Sequence, residues 1–216
     1  MTADPASLEG SLRDRVLDEV KERIIAGDLP TGARLHERNL SQELGVSRVP
    51  LREAILTLAA QGLVEMRPRV GAFVRPMTKH DVEDLFAVRM ALEPLAASLA
   101  AVNRNEDQLA ELARLVDAER SALVTGDDRR GSLVNADFHL EILRASGNEL
   151  LFAIMAPVQS RIQRLFRRTI TSMSEQLSDD HSEMLNALRA QDADQAAAVA
   201  RRHVEDTREI SIALAE

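Results

Sequence analysis

The first third of the chain combines short helical patterns with turn residues. Apolar residues recur every four positions between Leu12 and Ile24, which predicts an amphipathic helix that ends at Gly27. A second, shorter helix is predicted over 37–44. A third is predicted over 47–60, and Gly62 follows it as a stop signal.

The turn between the second and third predicted helices is very short. Gly45 and Val46 form it, and Ser47 is a good N-cap for the helix that follows. Pro50 falls in the first turn of that helix, where a missing N–H costs little. Residues 63–66 and 72–75 then predict a hairpin. Two helices joined by a tight turn and followed by a hairpin form a winged helix-turn-helix.

From Thr78 onward the pattern is helical throughout, and no strand-like alternation follows residue 76. Thr78 and Asp81 have the spacing of a capping box. We therefore predict a mostly α protein with a winged helix-turn-helix domain over 1–76 and an all-helical bundle over 77–216. The predicted bundle helices are 79–103, 106–124, 132–146, 149–170, 175–190 and 193–213, and Pro157 is expected to kink the fourth.

Composition excludes several classes of protein. The 216 residues include no cysteine, tryptophan or tyrosine. The lack of cysteine excludes a disulfide scaffold and a thiolate metal site, and the lack of tryptophan and tyrosine, with five phenylalanines, argues against an aromatic surface for single-stranded nucleic acid. No apolar run approaches the roughly 20 residues of a membrane span, and the N-terminus lacks the pattern of a signal peptide. We expect a cytoplasmic protein without a membrane partner.

Charge is distributed unevenly between the two predicted domains. Residues 1–76 carry 11 basic and 11 acidic side chains, whereas 77–216 carry 16 and 24 and account for the whole net charge of −8. Seven arginines and four glutamates lie within 34–75. Guanidinium groups on an acidic protein suit a polyanion such as DNA. By charge alone, a solvated face whose arginines pair with local glutamates is the favoured explanation.

The third helix is the element of a helix-turn-helix that enters the major groove. Its first residues would contact base edges and phosphates, and a basic wing tip would reach the minor groove or a phosphate. The candidate DNA-binding residues from this placement are Ser47, Arg48, Val49, Pro50, Arg52 and Arg69. A helix-turn-helix that serves only as a packing or protein-contact unit is the alternative.

Three of the five histidines lie on different predicted helices of the bundle. His139, His181 and His203 each have apolar neighbours, and Asn135 lies four residues before His139 on the same helix face. Three imidazoles and one amide oxygen suit zinc, nickel or manganese and leave coordination positions open. Three unrelated polar residues of a helical core are the alternative that spacing alone favours.

The segment GVSRVPLREAILTLAAQGLVE, within about 24–75, closely resembles the DNA-binding domain of the GntR superfamily of bacterial transcription regulators. The resemblance implies a homodimer on a palindromic double-stranded operator. It places Arg38, Ser47, Arg48 and Arg52 at DNA-contacting positions and Gly71 at the wing glycine. The residue before that glycine is often basic in the family, whereas here it is Val70.

The segments RMALEPLAASLAA, NADFHLEILRASGNELL and HSEMLNALRAQDADQAAAVARRHVED resemble the FCD ligand-binding domain of the FadR branch of that superfamily. The resemblance implies a small carboxylate or an acyl thioester as effector. It also implies metal ligands at Asn135, where aspartate is usual, and at His139, His181 and His203. It places Arg89 beside the pocket, although an ion pair with Glu93 explains Arg89 as well; Arg161 and Arg164 are weaker candidates.

These observations predict a ligand-responsive DNA-binding transcription regulator, with release of repression by ligand as the expected sign. A metal-dependent hydrolase or lyase is the first alternative, but the chain lacks an HExxH pair, a GxSxG elbow and a phosphate-binding glycine loop. A helical interaction module that does not bind DNA is the second. We expect no enzymatic activity.

Overall fold

The computed structural model describes residues 11–215, except for the side chains of 169–177. Within it the chain divides into two compact units, one ending at Pro76 and the other beginning at Met77. Four residues separate the last strand of the first unit from the first helix of the second.

The first unit contains three helices, α1 (Leu12–Ala26), α2 (Glu37–Glu43) and α3 (Arg48–Ala60). A capping box between Ser11 and Asp14 begins α1, and Gly27 ends it in the left-handed conformation. The apolar face of α1 packs against α3, whose apolar residues Leu51, Ile55 and Leu58 are fully buried. This packing fixes the orientation of α3 within the unit and leaves its opposite face in solvent.

A three-stranded antiparallel sheet completes the first unit. Its strands are β1 (Arg34–Leu35), β2 (Val64–Arg67) and β3 (Gly71–Val74), in the order β1-β3-β2. The register pairs Val64 with Val74, which confirms the predicted hairpin. Strand β1 was not predicted, because two residues are too few to show an alternating pattern.

The second unit is entirely helical within the described residues. Its helices are α4 (Lys79–Asn103), α5 (Glu106–Thr125), α6 (Asp128–Ala145), α7 (Glu149–Ala190) and α8 (Ala193–Ala213). The Thr78–Asp81 capping box is present at the start of α4. Helix α6 begins four residues earlier than predicted, because Asp127 caps it and Gly131 is accommodated inside it.

The predicted helix end at 170 and the new start at 175 are wrong as boundaries, since α7 is helical from Glu149 to Ala190, over 42 residues, although the chain does change direction within it. The residues between the two predicted helices contain no glycine or proline, and serine and threonine lower helix propensity only slightly. Pro157 is inside this helix.

Helix α7 is nevertheless not straight. Asn103 donates a hydrogen bond to the Ser146 carbonyl just before α7, and the adjacent Arg104 donates one to the Leu188 carbonyl near its end. A straight helix of this length would separate its ends by roughly 60 Å, far beyond the reach of two neighbouring side chains. The chain therefore reverses direction within α7, so its first half packs on α4 and its second half lies beside α5 and α8.

The core of the second unit is built mainly from alanine and leucine. One cluster joins α4, α5, α6, α7 and α8, and a second joins α4 to α7 and α8 around Phe86 and Phe166. Small side chains at Ala96, Ala97 and Ala100 allow the helices to approach closely. Polar residues are also buried in the second unit, among them the three histidines of the predicted site.

Helix α4 has a property that the absence of a long apolar run did not anticipate. Among the described residues, it is the one helix long and apolar enough to cross a membrane, with a mean hydropathy of 1.6 over 18 residues. Half of that window is buried inside the unit, and the helix contains the buried charged residues Arg89 and Glu93. A core helix of a bundle meets the same test.

Candidate functional site

Helix α3 exposes the residues that were predicted to contact DNA. Ser47, Arg48, Val49 and Arg52 are exposed at its N-terminal end, and Pro50 is half-buried. The other face is anchored in the core through its buried apolar residues Leu51, Ala54, Ile55 and Leu58. The local periodicity of the sequence therefore produces a helix whose outward face carries Arg48 and Arg52 together with Glu53 and the apolar Val49 and Leu56.

Ser47 occupies the N-cap position of α3, but its side chain makes no capping hydrogen bond. Ser47 is therefore at the predicted N-cap position, but its side chain does not make the expected capping hydrogen bond. Within the described part of the chain its hydroxyl is not engaged by protein groups, so it is available to an external acceptor or donor. The first N–H groups of α3 are also a suitable site for a phosphate oxygen.

The arginines of the first unit fall into two groups. Arg67 donates two hydrogen bonds to Glu65, at 3.2 Å each, and its guanidinium lies over Phe73. Among the residues that the structure describes, the guanidinium groups of Arg38, Arg48, Arg52 and Arg69 form neither a hydrogen bond nor an ion pair. Local pairing with glutamate therefore does not account for the four predicted DNA-contacting arginines.

The wing tip has an unusual backbone. Arg69 adopts a left-handed conformation, with φ of 62°, and Gly71 has φ of 126°. A side chain at Gly71 would be strained there, and its Cβ would lie 3.4 Å from Arg34 Nε. Gly71 is thus required by the local conformation, and a DNA contact through its backbone stays a prediction.

In the second unit, α6, α7 and α8 bring the three histidines together. One ring nitrogen from each of His139, His181 and His203 lies within 4.8 Å of the others, and all three side chains are buried. In each ring Nε2 has no hydrogen-bond partner among the described residues. We call these three residues the histidine site.

Two carboxylates orient the rings of the histidine site. Glu119 Oε2 lies 2.7 Å from His181 Nδ1, and Asp180 Oδ2 lies 3.3 Å from His203 Nδ1. An ionised carboxylate only accepts hydrogen bonds, so each of these Nδ1 atoms carries the proton and each Nε2 presents its lone pair. Carboxylates that hold imidazoles in this way are typical supports of metal-ligating histidines.

The protonation states agree with this arrangement. Burial raises the pKa of Glu119, but His181, Asn135 and His203 together bring this pKa below its ordinary value. Burial lowers the pKa of His139 well below the usual 6.5; the charge of Arg89 lowers it further, as would a proton on His181 or His203. His139 is therefore neutral at pH 7, which is the state that binds a metal ion.

Asn135 is buried on α6, one turn before His139. Its Nδ2 donates a hydrogen bond of 3.3 Å to Glu119 Oε1, and its Oδ1 has no partner within the described structure. The amide orientation is thus set by Glu119. Asp137, two residues away, is exposed, as expected from its position on the opposite side of the helix.

Arg89 forms the ion pair with Glu93 that the alternative interpretation predicted, and its contact with an effector stays a prediction. It is fully buried and donates hydrogen bonds to both oxygens of Glu93, at 2.7 and 3.3 Å. Its guanidinium also lies near the rings of Phe86 and Phe166. Its third nitrogen, Nη1, has no partner in the described part of the chain. Arg164 is buried and Arg161 half-buried on α7.

A small cavity adjoins the histidine site. The space that the centre of a water molecule can reach is about 20 Å³, which is room for one or two waters. Apart from the histidines, its polar lining consists of Glu93 and Gln159, whose Oε1 is also unpartnered among the described residues. The unpartnered nitrogens and oxygens, all buried, fit a divalent cation held by His139, His181 and His203.

Three participants were missed by sequence reasoning, namely Glu119, Asp180 and Gln159. Asp180 directly precedes His181 and could have been found as a paired acidic neighbour. Glu119 and Gln159 come from α5 and α7 without a local signal, because a single polar residue on a helix is most often simply exposed.

Comparison with known proteins shows the family of each unit. The sequence pattern of the bacterial regulatory proteins of the gntR family matches residues 12–74, and that of the FCD domain matches 84–206. The chain belongs to the GntR family. The matched segments lie within the first and second units respectively, so this family member joins a winged helix-turn-helix to an FCD domain.

Two regulators illustrate the family relationship. LutR of Bacillus subtilis is 32% identical over 209 residues, which cover 85% of this chain and 94% of LutR. A probable repressor of a D-xylose utilization operon from Paenarthrobacter nicotinovorans is 29% identical, covering 90% of this chain and 86% of the relative. The GntR-family protein described here is thus a DNA-binding transcription regulator, as predicted.

Solved structures confirm the fold class. McbR/YncC of Escherichia coli superposes with a TM-score of 0.80 at 26% identity, covering 94% of this chain and 98% of McbR. A GntR regulator from Rhodococcus sp. RHA1 gives a TM-score of 0.79 at 22% identity, covering 96% of this chain and 100% of the other, and shows the shared fold alone.

Proposed function

We propose that this regulator is a homodimeric, cytoplasmic repressor that binds a palindromic operator and releases it when a small carboxylate enters the histidine site. Residues 1–76 supply DNA binding, and 77–216 supply effector binding and dimerisation. The observation that carries the first half is that four exposed arginines of the first unit, Arg38, Arg48, Arg52 and Arg69, have guanidinium groups without a partner among the described residues. The unpartnered buried atoms described for the second unit carry the other half.

Direct contact with bases is assigned to Arg48, with Ser47, Val49 and Pro50 beside it at the start of α3. Arg48 is exposed and its guanidinium can contact a guanine edge through two hydrogen bonds. Arg38 and Arg52 contribute phosphate contacts, which give affinity that depends on salt. Arg69 and Gly71 bring the wing to the neighbouring minor groove or a phosphate.

The cofactor assigned to the second unit is zinc or nickel, held by His139, His181 and His203, with the amide oxygen of Asn135 as a fourth ligand. Three imidazoles favour these ions over manganese, which prefers oxygen ligands. A bound divalent ion would supply positive charge and open coordination positions. The four proposed ligands are all neutral, so an anion is favoured at the remaining positions.

The effector class follows from Arg89, which is paired with Glu93 of the cavity lining. Arg89 has N–H groups left at Nη1 after pairing with Glu93, and a carboxylate is their best partner. The cavity holds only one or two waters, so a carboxylate of several carbon atoms must displace side chains on α4, α7 or α8. We assign the loss of operator affinity to that displacement, and a coupling of about 1–3 kcal/mol suffices.

DNA binding is tested with duplexes of random sequence, because the operator is not known. Repeated selection on the purified protein should enrich a palindrome with half-sites about one helical turn apart. Against that sequence, Arg48→Ala should lower affinity about 5- to 150-fold. Arg114→Ala, which removes an equal charge from an exposed site on α5, is the matched control. Failure to enrich any sequence would refute the proposal.

Metal binding is tested by elemental analysis of protein prepared without a histidine tag. One equivalent of zinc or nickel per chain is expected, and His181→Ala should lose it. His80→Ala, which removes an exposed histidine of α4, should retain it. If the protein stays metal-free after reloading, we would instead attribute effector binding to Arg89 and Gln159.

Effector release is tested with small mono-, di- and tricarboxylates added to the complex of protein and labelled operator. At least one acid should lower operator affinity in the parent protein. The same acid should act at least tenfold more weakly on Arg89→Lys, which keeps the charge but loses the forked donor. Enzymatic turnover of the acids in the presence of metal would favour the hydrolase alternative.

A further inference from the structure

A groove on the surface of the second unit lies between α5 and the second half of α7. The space that the centres of water molecules can reach in it is about 240 Å³, whereas the cavity beside the histidine site offers about 20 Å³. Pockets for drug-sized ligands have about 300–1,000 Å³, so this groove has room for a molecule of a few carbon atoms. Its apolar lining comes from Ala113, Val116 and Leu185. We call it the α5–α7 groove.

Two arginines line the α5–α7 groove without a carboxylate partner among the described residues. Arg120 Nη2 donates a hydrogen bond of 3.1 Å to Ser182 Oγ, and Arg189 Nη1 donates one of 3.3 Å to Asn186 Oδ1. Acidic side chains outnumber basic ones by 24 to 16 in 77–216, so composition does not explain the missing partners. Other exposed arginines of this unit do pair with carboxylates, among them Arg114, Arg144 and Arg202.

The two guanidinium groups have a spacing that suits one phosphate. Their hydrogen-bond partners Ser182 and Asn186 lie four positions apart on α7, which is roughly 6 Å along the helix. A phosphate oxygen binds a guanidinium nitrogen at about 2.8 Å, so different oxygens of one phosphate can contact both groups. A carboxylate has two oxygens in one plane and is occupied by a single guanidinium fork. A tetrahedral phosphate is therefore the better match.

Asp117 is the one acidic side chain among the residues that line the groove. It is exposed on α5, three residues before Arg120, yet the described structure contains no ion pair between the two. An ionised carboxylate accepts hydrogen bonds and repels other anions. The lining thus favours an occupant with one phosphate and a hydroxyl group over an occupant with two phosphates.

We propose that the α5–α7 groove binds a small phosphate monoester of an alcohol that has further hydroxyl groups. Arg120 and Arg189 hold the phosphate from two sides. Asp117 accepts a hydrogen bond from a hydroxyl of the ester, and the carbon atoms cover the apolar lining. This site is separate from the DNA-binding surface and from the histidine site, so it does not depend on the proposed function.

The groove lies beside a contact that belongs to the histidine site. Glu119 and His181 make the 2.7 Å contact between α5 and α7, and Arg120 and Ser182 directly follow them in the chain. Successive residues of a helix point about 100° apart, so the first pair faces the buried histidines while Arg120 faces solvent. An ester that bridges α5 and α7 therefore restrains the two helices that carry Glu119 and His181.

Binding is tested by titration calorimetry of the whole chain in phosphate-free buffer, with glycerol 1-phosphate as the probe. Arg120→Ala and Arg189→Ala should each weaken binding by about tenfold or more, because each removes a charged fork from the phosphate. Arg114→Ala, which removes an exposed arginine of α5 outside the groove, should bind as the parent does. Circular dichroism checks that the variants fold. Parental affinity in both groove variants overturns the proposal.

The chemical class is tested by comparing the ester with inorganic phosphate and with succinate. The parent should bind glycerol 1-phosphate more tightly than inorganic phosphate, and Asp117→Asn should reduce that preference by strengthening the binding of phosphate. Succinate should bind about tenfold or more weakly than the ester, since it has no tetrahedral group. Succinate that binds as tightly as the ester, or a preference that Asp117→Asn leaves unchanged, overturns the assignment of a phosphate monoester.

Two further variants distinguish the groove from the other anion sites proposed for this chain. His181→Ala disrupts the histidine site and Arg48→Ala the DNA-binding surface, and both should still bind the ester. Binding that is lost in either of these variants and kept in both groove variants would place the ester elsewhere and overturn the proposal. No saturable binding by the parent overturns it as well. Failure to enrich an operator refutes the proposed function and leaves the groove unaffected.

Discussion

Glu119 contacts His181 and Asn135 at once, with one carboxylate oxygen 2.7 Å from His181 Nδ1 and the other accepting a hydrogen bond from the Asn135 amide. The first contact leaves His181 Nε2 to present its lone pair, and the second turns the amide oxygen of Asn135 away from Glu119. An aspartate at position 135 would instead place two carboxylates side by side. The neutral Asn135 side chain therefore donates a hydrogen bond to the buried Glu119 carboxylate, where an aspartate would repel it.

Removal of the Glu119 charge should weaken metal binding. We expect Glu119→Gln to lower the affinity for zinc about 10- to 100-fold, because the amide does not fix the His181 tautomer as a carboxylate does. Competition with a coloured chelator measures the change. Glu111→Gln, which removes a partly exposed carboxylate from the same helix, is the control. Equal affinity in both variants would show that Glu119 has a structural role only.

Asn135→Asp should change metal affinity and stability in opposite directions. The new carboxylate lies beside Glu119, so the metal-free protein should lose about 1–3 kcal/mol of unfolding free energy. Zinc affinity should rise, because an anionic oxygen replaces a neutral one. The double variant Asn135→Asp with Glu119→Gln should recover the stability. Chemical unfolding and chelator competition measure the two effects, and a stability loss that the double variant retains would contradict this explanation.

The metal-free protein should lose stability as the pH falls below about 6.5. Burial lowers the pKa of His139 and of His203, so the folded protein keeps both neutral where the unfolded chain takes up protons. The unfolded state then binds more protons, and unfolding free energy decreases by up to about 1.4 kcal/mol per pH unit for each group. Lowered pKa values of Glu119 and Asp180 act with the same sign in more acidic solution.

Urea unfolding between about pH 7.5 and pH 5 measures this dependence on both sides of the ordinary histidine pKa. His139→Gln should reduce the slope, since it removes one of the two titrating groups. His80→Gln, at an exposed residue, should leave the slope unchanged. A slope that His139→Gln does not alter would assign the acid sensitivity to other residues.

Because Arg69 has a left-handed backbone, substitution by glycine should affect stability and DNA affinity in opposite directions. Arg69→Gly should raise the unfolding free energy by about 1 kcal/mol, because glycine adopts this conformation without a steric penalty. Operator affinity should nevertheless fall, since the guanidinium is removed. Arg69→Lys retains a charge and should bind better than Arg69→Gly. Thermal unfolding and operator titration measure the two quantities, and unchanged operator binding by Arg69→Gly would remove Arg69 from the DNA-contacting set.

Local patterns in the sequence were sufficient for most of the elements. The spacing of apolar residues in 12–24 and 47–60 predicted α1 and α3, and the same reasoning predicted α4, α5 and α8. It failed where the signal was short or ambiguous. Strand β1 has two residues, and the serine- and threonine-containing segment within α7 was predicted as a break although its residues are helical. The secondary structure of such segments is determined by tertiary packing rather than by intrinsic propensity.

The sequence by itself determined the winged helix-turn-helix, the all-helical second unit and the three histidines as candidate ligands. Only the tertiary structure decided that His139, His181 and His203 meet, that Glu119 and Asp180 orient two of their rings, and that Arg48 and Arg52 have no partner within the described residues. Helical periodicity acts over three or four residues, so it can assign a side chain to one face of a helix. Which faces meet depends on contacts between helices tens of residues apart, and no local pattern records them.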